Sequence, residues 1–212
     1  MRTREGGRGG SPVVPNPRWA ANRLHRRAAQ EGYRSRAAYK LREIQERHRV
    51  VREGDAVLDL GAAPGSWLQV LTALTRGPVV GVDLQPVAPV ERATLLVGDF
   101  CERVTQDRIR EILPAATVVL SDAAPKLSGH RDYDQARAVA LGEEALALAM
   151  TILTRGGTFV VKSFQGDLFD EFLSEMRRHF RSVRVFRPSA TRKGSRECYI
   201  VARHFLGGRE PC

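Results

Sequence analysis

From about residue 56 onward, short runs of consecutive apolar residues alternate with segments whose apolar residues recur every three or four positions. The short runs, bounded by glycine, proline or acidic residues, read as buried strands. They are Ala56-Val57-Leu58-Asp59-Leu60, Pro78 to Asp83, Thr94 to Val97 and Ala116 to Leu120, then Thr158 to Lys162, Val183 to Phe186 and Cys198 to Ala202. Between them the period changes to that of a helix. Leu68 to Leu74 follows the first strand, and a polar helix over Glu102 to Ile112 follows the third. Leu141, Ala145, Leu148 and Ile152 mark one face of a long helix that Gly156-Gly157 is expected to close. Phe169, Phe172, Leu173, Met176 and Phe180 mark another amphipathic helix. Upstream, Arg18 to Gln30 is a basic, Ala-rich helix candidate, and Ser35 is the expected N-cap of a second helix carrying Ala38, Leu41 and Ile44. Strands alternating with helices predict a single α/β domain: a mostly parallel sheet of seven strands with helices on both faces.

The first strand runs into Gly61-Ala62-Ala63-Pro64-Gly65-Ser66-Trp67, a strand, glycine turn and helix of the kind that brings a nucleotide-like ligand against bare backbone. The spacing is not the Gly-x-Gly-x-x-Gly of a dinucleotide site. Asp59, two positions before Gly61, repels a pyrophosphate and suits a ligand with an amino or sulfonium cation. In such sheets ligands bind outside the carboxyl ends of the strands. Asp59, Asp83, Asp99, Asp122 and Lys162 each end or directly follow an apolar run there, which favours a built site over ordinary polar loops. Asp83 is placed to accept the two ribose hydroxyls of an adenosine, and Asp99 to accept from its adenine amino group.

Charge divides the chain. Of 34 Lys/Arg and 24 Asp/Glu in its 212 residues, residues 1–50 carry 13 basic against 4 acidic and residues 171–212 carry 10 against 4, while residues 51–170 carry 11 against 16. Basic ends are the footprint of a phosphate-backbone partner, and the acidic middle suits a small cationic ligand. Cys101, Cys198 and Cys212 are odd in number and scattered, and the five histidines show no ligand spacing; no metal site is expected, and the cysteine usage fits a reducing, cytoplasmic compartment. No apolar run approaches a membrane span. Residues 1–17, rich in Gly and Arg, are expected to be a disordered basic tail, 18–205 one domain that begins with basic helices over 18–50, and 206–212 a short tail; the chain is expected to act as a monomer.

Five motifs occur in order: Ser35-Arg-Ala-Ala-Tyr-Lys-Leu41, Asp59-Leu-Gly-Ala-Ala-Pro-Gly-Ser-Trp67, Asp122-Ala-Ala-Pro125, Phe159-Val-Val-Lys-Ser-Phe-Gln-Gly166 and Ser195-Arg-Glu-Cys-Tyr199. Over roughly Tyr33 to Ala202 they resemble the FtsJ/RrmJ family of S-adenosylmethionine-dependent RNA ribose 2′-O-methyltransferases. The resemblance implies a Rossmann-like class I methyltransferase fold. It also implies a catalytic tetrad of Lys40, Asp122, Lys162 and Glu197, with Gly65, Trp67, Asp83, Asp99 and Asp122 at the cofactor. Ser66 and Ala123 stand where the family more often has Gly and Met. A compact chain is similar to the branch that modifies a uridine in large-subunit ribosomal RNA, so the implied partner is ribosomal RNA within the large subunit.

The tetrad also makes chemical sense. Methylating a ribose hydroxyl requires its proton to leave as the oxygen attacks. Lys162 is the candidate base, with Lys40 as a like-charge neighbour and Asp122 and Glu197 as orienting groups. A tRNA ribose methyltransferase of the same family is the alternative substrate reading. A non-catalytic RNA-binding assembly factor explains the charge but not the four tetrad positions, and an NAD-dependent dehydrogenase is disfavoured by the glycine spacing.

Overall fold

The structure, a computed structural model, describes residues 17–125, 128–192 and 194–207, with main chain only for 17–22 and Arg131. The disorder expected over 1–17 therefore lies outside the described residues except at Pro17, and most of the 206–212 tail does too.

Two helices, α1 (Pro17–Gln30) and α2 (Ala37–His48), precede β1 (Val57–Leu60). The chain continues through α3 (Ser66–Leu74), β2 (Val79–Asp83), β3 (Ala93–Val97), α4 (Arg103–Ile112) and β4 (Ala116–Ser121). It ends with α5 (Arg131–Ile152), β5 (Leu153–Phe164), α6 (Phe169–His179), β6 (Phe180–Phe186) and β7 (Glu197–Phe205). The seven strands form one sheet in the order β3-β2-β1-β4-β5-β7-β6. β1 to β5 run parallel, and β7 is antiparallel to both of its neighbours. The order turns back at β1 and β4, so a crevice opens beyond their carboxyl ends.

The apolar runs of β1, β2, β4 and β7 and the second half of β5 become strands buried on both faces, whereas β3 and β6, at the two edges, are mostly half-buried or exposed. Leu58, Leu60, Val119 and Phe159 pack with α5 and α6 on one side of the sheet. Val57, Val118, Val160 and Tyr199 pack with Ala38, Leu41 and Ile44 of α2 and with Trp67 and Leu68 of α3 on the other.

Three boundaries differ from those the sequence predicts. Helix α5 ends at Ile152, and Gly156-Gly157 lies inside β5. Leu153 pairs with Ala116 and Thr158 with Val118, so four residues of β5 bulge out against a single residue of β4, with Gly156 at φ 87 taking the left-handed turn. Ser35, the expected N-cap, lies one residue before the observed cap position, Arg36, and its hydroxyl accepts the Ala37 N–H at 3.1 Å and pairs with Ser66 Oγ at 2.8 Å. Phe180 leaves the helix and starts β6, pairing with Phe205, because its ring stacks on Phe159 and packs at a tilt against Phe205.

Candidate functional site

Four distant segments meet where β4 and β5 end and β7 begins. Lys162 lies opposite Tyr199 in the β5–β7 ladder, and Glu197 lies two pairs further along, opposite Phe164. Alternation along β7 puts Glu197 on the same face as Tyr199. Helix α2 covers that face and brings Lys40 down onto it. Lys162 Nζ is 3.0 Å from Asp122 Oδ1 and also donates to the Asp122 main-chain carbonyl. Lys40 Nζ is 2.7 Å from Glu197 Oε1. Tyr199 lies between the two pairs: its hydroxyl donates to Asp122 Oδ1 at 2.6 Å and its ring centroid is 5.7 Å from Lys40 Nζ. Burial, with Asp122 and Glu197 beside it, pushes the Tyr199 phenol well above its ordinary pKa, so it remains a donor to Asp122. The side chains of the four charged residues are only 9–17 % exposed, so these are not solvent-screened surface pairs. The structure thus brings Lys40, Asp122, Lys162 and Glu197 together.

Beside them opens a cavity of about 550 Å³, lined by Asp83, Asp99, Cys101, Arg137 and Glu144 and by Ala123 to Pro125, the residues that directly follow Asp122. Its size is that of a small-molecule site. Asp83 accepts the Ala63 N–H at 2.9 Å through Oδ2 and the Gln85 N–H at 2.8 Å through Oδ1, so two backbone bonds fix its carboxylate at the cavity wall. Asp99 is held by the Cys101 N–H at 2.9 Å. Burial and Asp99 push the Cys101 thiol up to about 12, so it is a protonated wall group rather than a nucleophile. Gly61, at φ 79, lets the Ala123 backbone approach closely at the cavity wall: a side-chain carbon there would come within 2.6 Å of it.

Three expected residues stand elsewhere. Gly65 and Trp67 do not line the cavity. Gly65, at φ 101, precedes α3, and Trp67 is buried with its indole N–H donating to the Ala37 carbonyl at 2.9 Å, so it ties α3 to α2 beneath Lys40. Asp59 does not reach the cavity either. Its carboxylate is fully buried with neither oxygen partnered, and burial, followed by the charges of Asp122 and Asp83, pushes its pKa well above the usual carboxylate range. Asp59 thus lies one layer beneath the cavity wall rather than in it.

Sequence reasoning missed three features of the site. Arg34 donates to the carbonyls of Pro64 at 3.0 Å, Ala88 at 2.6 Å and Pro89 at 2.6 Å. Its guanidinium lies where a side chain at Gly65 would have to go, so it clamps the glycine turn and the loop after β2 from the N-terminal segment. No local pattern marks it. Tyr199 sits inside a quoted motif, but only the register shows it bridging both ion pairs. Arg137, Ala140, Leu141 and Glu144 form a helical stripe along α5 that faces the cavity. That spacing is present in the sequence but is overshadowed by the adjacent core stripe.

The FtsJ-like methyltransferase family model matches residues 33–205. A ribosomal RNA large subunit methyltransferase E of Methanoculleus marisnigri is 57% identical over 190 residues, covering 89% of this chain and 94% of the relative. A protein of the same description from Methanoregula boonei is 53% identical over 189 residues, covering 89% and 98%. A Plasmodium falciparum crystal structure described as a ribosomal RNA methyltransferase superposes with a TM-score of 0.75 at 26% identity, over 83% of this chain and all of that one. Human methyltransferase-like protein 13, solved in complex with SAH, shares the fold with a TM-score of 0.52 at 17% identity, each chain being covered to 74%.

Proposed function

Since the chain belongs to the FtsJ-like methyltransferase family, whose relatives at 51–57% identity are named for large-subunit ribosomal RNA, we propose that it methylates a ribose 2′-hydroxyl, that of a uridine, in this RNA. It is a methyltransferase of the S-adenosylmethionine-dependent type. The reading rests on one arrangement: the two lysine–carboxylate pairs bridged by Tyr199, joined to the cavity through Asp122 and Ala123.

The cavity residues fit the cofactor. Asp83 and Asp99 offer fixed carboxylates for ribose hydroxyls and an adenine amino group, and Gly61 lets the Ala123 backbone close in to form the wall between them and the tetrad. When bound, S-adenosylmethionine supplies an electrophilic methyl group on a cationic sulfur. Gly65 and Trp67 act behind the wall, by shaping the turn and by anchoring α2.

Lys162 is the base. Its amine can form three bonds besides the one to its own chain, and the Asp122 carboxylate and carbonyl accept two N–H groups. In the neutral amine the remaining position is a lone pair, which takes the ribose proton as the oxygen attacks. Tyr199 and Lys162 share Asp122 Oδ1, which keeps that carboxylate aimed. Lys40 and Glu197 form the opposite wall, where Glu197 accepts from the substrate hydroxyl and Lys40 holds Glu197 in place. The protein works as a monomer in the cytoplasm, with one methyltransferase domain over 18–205 and the basic helices over 18–50 on the RNA side.

The test is methyl transfer from isotopically labelled S-adenosylmethionine to protein-free large-subunit RNA, to large subunits and to tRNA. Label is expected on a ribose of the large-subunit RNA. Lys162→Ala is expected to lower turnover ~10²–10⁴-fold, with cofactor affinity by calorimetry unchanged. Label on tRNA alone overturns the substrate assignment, and activity within a few-fold of the parent overturns the role of Lys162.

A further inference from the structure

Several helix arginines close on carboxylates: Arg27 and Arg42 on Glu31, Arg110 on Asp107 and Arg178 on Glu175. A group gathered around the carboxyl end of α2 does not. Arg47, Arg49, Arg52, Arg155, Arg184 and Arg203 converge there from four elements, and among the described residues none forms an ion pair. All but Arg203 are exposed.

The surface they form is concave. A groove of about 870 Å³ runs past Arg47, His48, Arg49, Arg52 and Arg203, with Glu46 as its one acid. An adjoining depression of about 230 Å³ shares Arg49, Arg52 and Arg203 and adds Arg155 and His204. Its acid, Asp55, is turned inward, accepting the Arg52 N–H at 2.6 Å and the Thr117 hydroxyl at 2.8 Å. Arg203 is fixed by a 3.2 Å bond to the His48 carbonyl. The His48 ring lies edge-on to Phe186 at 5.0 Å, and its enclosed Nε2 has no partner. Burial, followed by the neighbouring charges of Arg47, Arg203 and Arg184, holds His48 below its usual pKa. Like charges gathered without counter-charges repel one another, a cost relieved by a polyanion.

We propose that this groove is a second RNA-backbone site, gripping a stretch of the ribosomal RNA away from the methylated nucleotide. It rests on the reading of the chain as a ribosomal RNA methyltransferase. Strand β7 carries Glu197 of the tetrad near one end and Arg203 near the other, six residues or roughly 20 Å apart. Helix α2 likewise carries Lys40 and Arg47, separated by roughly 10 Å of rise. The nucleotide at the tetrad cannot reach the groove, but a flanking or folded-back segment of the same RNA can. The spread of guanidiniums over two connected depressions suits a run of phosphates rather than a single anion. The enzyme therefore selects a structured RNA by gripping it at two separated places, and a short single-stranded oligonucleotide engages only one.

The experiment titrates protein-free large-subunit RNA at several salt concentrations with the parent and with the variant R47A/R52A/R155A/R184A, none of which touches the cofactor cavity or the tetrad. The variant is expected to lose at least about tenfold in affinity at 0.1 M salt. Its log–log salt slope should become shallower by ~0.7–0.9 for each phosphate that is no longer neutralised, with cofactor affinity by calorimetry unchanged. The four arginine-to-lysine replacements should keep most of the slope. Single R47A and R52A variants should each release about one phosphate, which guards against a folding defect in the quadruple variant. A single-stranded oligonucleotide of about ten nucleotides should bind parent and variant alike. A slope equal to the parent's on large-subunit RNA overturns the proposal. A parent protein that binds and transfers no methyl group to this RNA overturns the functional reading beneath it, a distinct result.

Discussion

At the scale of single residues, Asp59 shows how position outweighs type. In the sequence it argues against a pyrophosphate ligand, yet in the fold it lies wholly inside the protein without a partner. Its pKa in the folded state is raised, first by burial and then by Asp122 and Asp83. A carboxyl raised in this way costs nothing below its unfolded pKa of about 3.9. As pH rises from there toward the folded value, ionisation favours the unfolded chain, by at most about 1.4 kcal/mol per pH unit. Asp59→Asn removes that titration while keeping the shape. The variant should gain stability relative to the parent progressively between about pH 4 and pH 7. Urea denaturation at several pH values checks this, and a difference independent of pH would show that Asp59 is not a neutral carboxyl.

Between elements, the decisive link is Arg34. Three carbonyls from two loops accept from one guanidinium, and its own N–H donates to Gln69 Oε1 on α3 at 2.9 Å. A hydrogen bond to a charged group is worth ~1.5–3 kcal/mol, less where water competes. Arg34→Ala should therefore release the glycine turn and lower cofactor affinity about tenfold. Arg34→Lys should not restore it, because one ammonium cannot reproduce the planar fork. Calorimetry with S-adenosylmethionine decides, and unchanged affinity would mean that β1 and α3 hold the turn unaided. The same link joins the N-terminal segment carrying Lys40 to the loops around the cofactor cavity, so the RNA side and the cofactor side share one support.

Over the whole molecule, charge sorts the surfaces. Removing Met1 to Gln30 takes away arginines 2, 4, 8, 18, 23, 26 and 27 while leaving Lys40 and every cavity residue in place. It also removes Ala28, which is buried beside Tyr39 and Ala190, so thermal stability should fall modestly. Cofactor affinity should remain the same. The salt slope of RNA binding should become shallower by ~0.7–0.9 for each phosphate these arginines had neutralised. Salt titrations of the truncated and full chains check this, and equal slopes would mean that these arginines stay out of the RNA site. Among the described residues no helix is long and apolar enough to cross a membrane.

Periodicity alone determined which segments are strands and which are helices, because burial on both faces forces continuous apolar runs in the central strands and one-sided burial forces a helical period. The order of motifs determined the family and named the four charged residues that the fold then collects at one strand edge. Boundaries such as Gly156-Gly157 and Phe180 went to the tertiary structure, since pairing across β4 and ring packing across β7 override local glycine and helix signals. The β7 register made Tyr199 the bridge between both ion pairs, and strand depth took Asp59 out of the site. Arg34 and the arginine groove became visible only in three dimensions, because their partners and neighbours lie tens of residues away and no local spacing records that proximity.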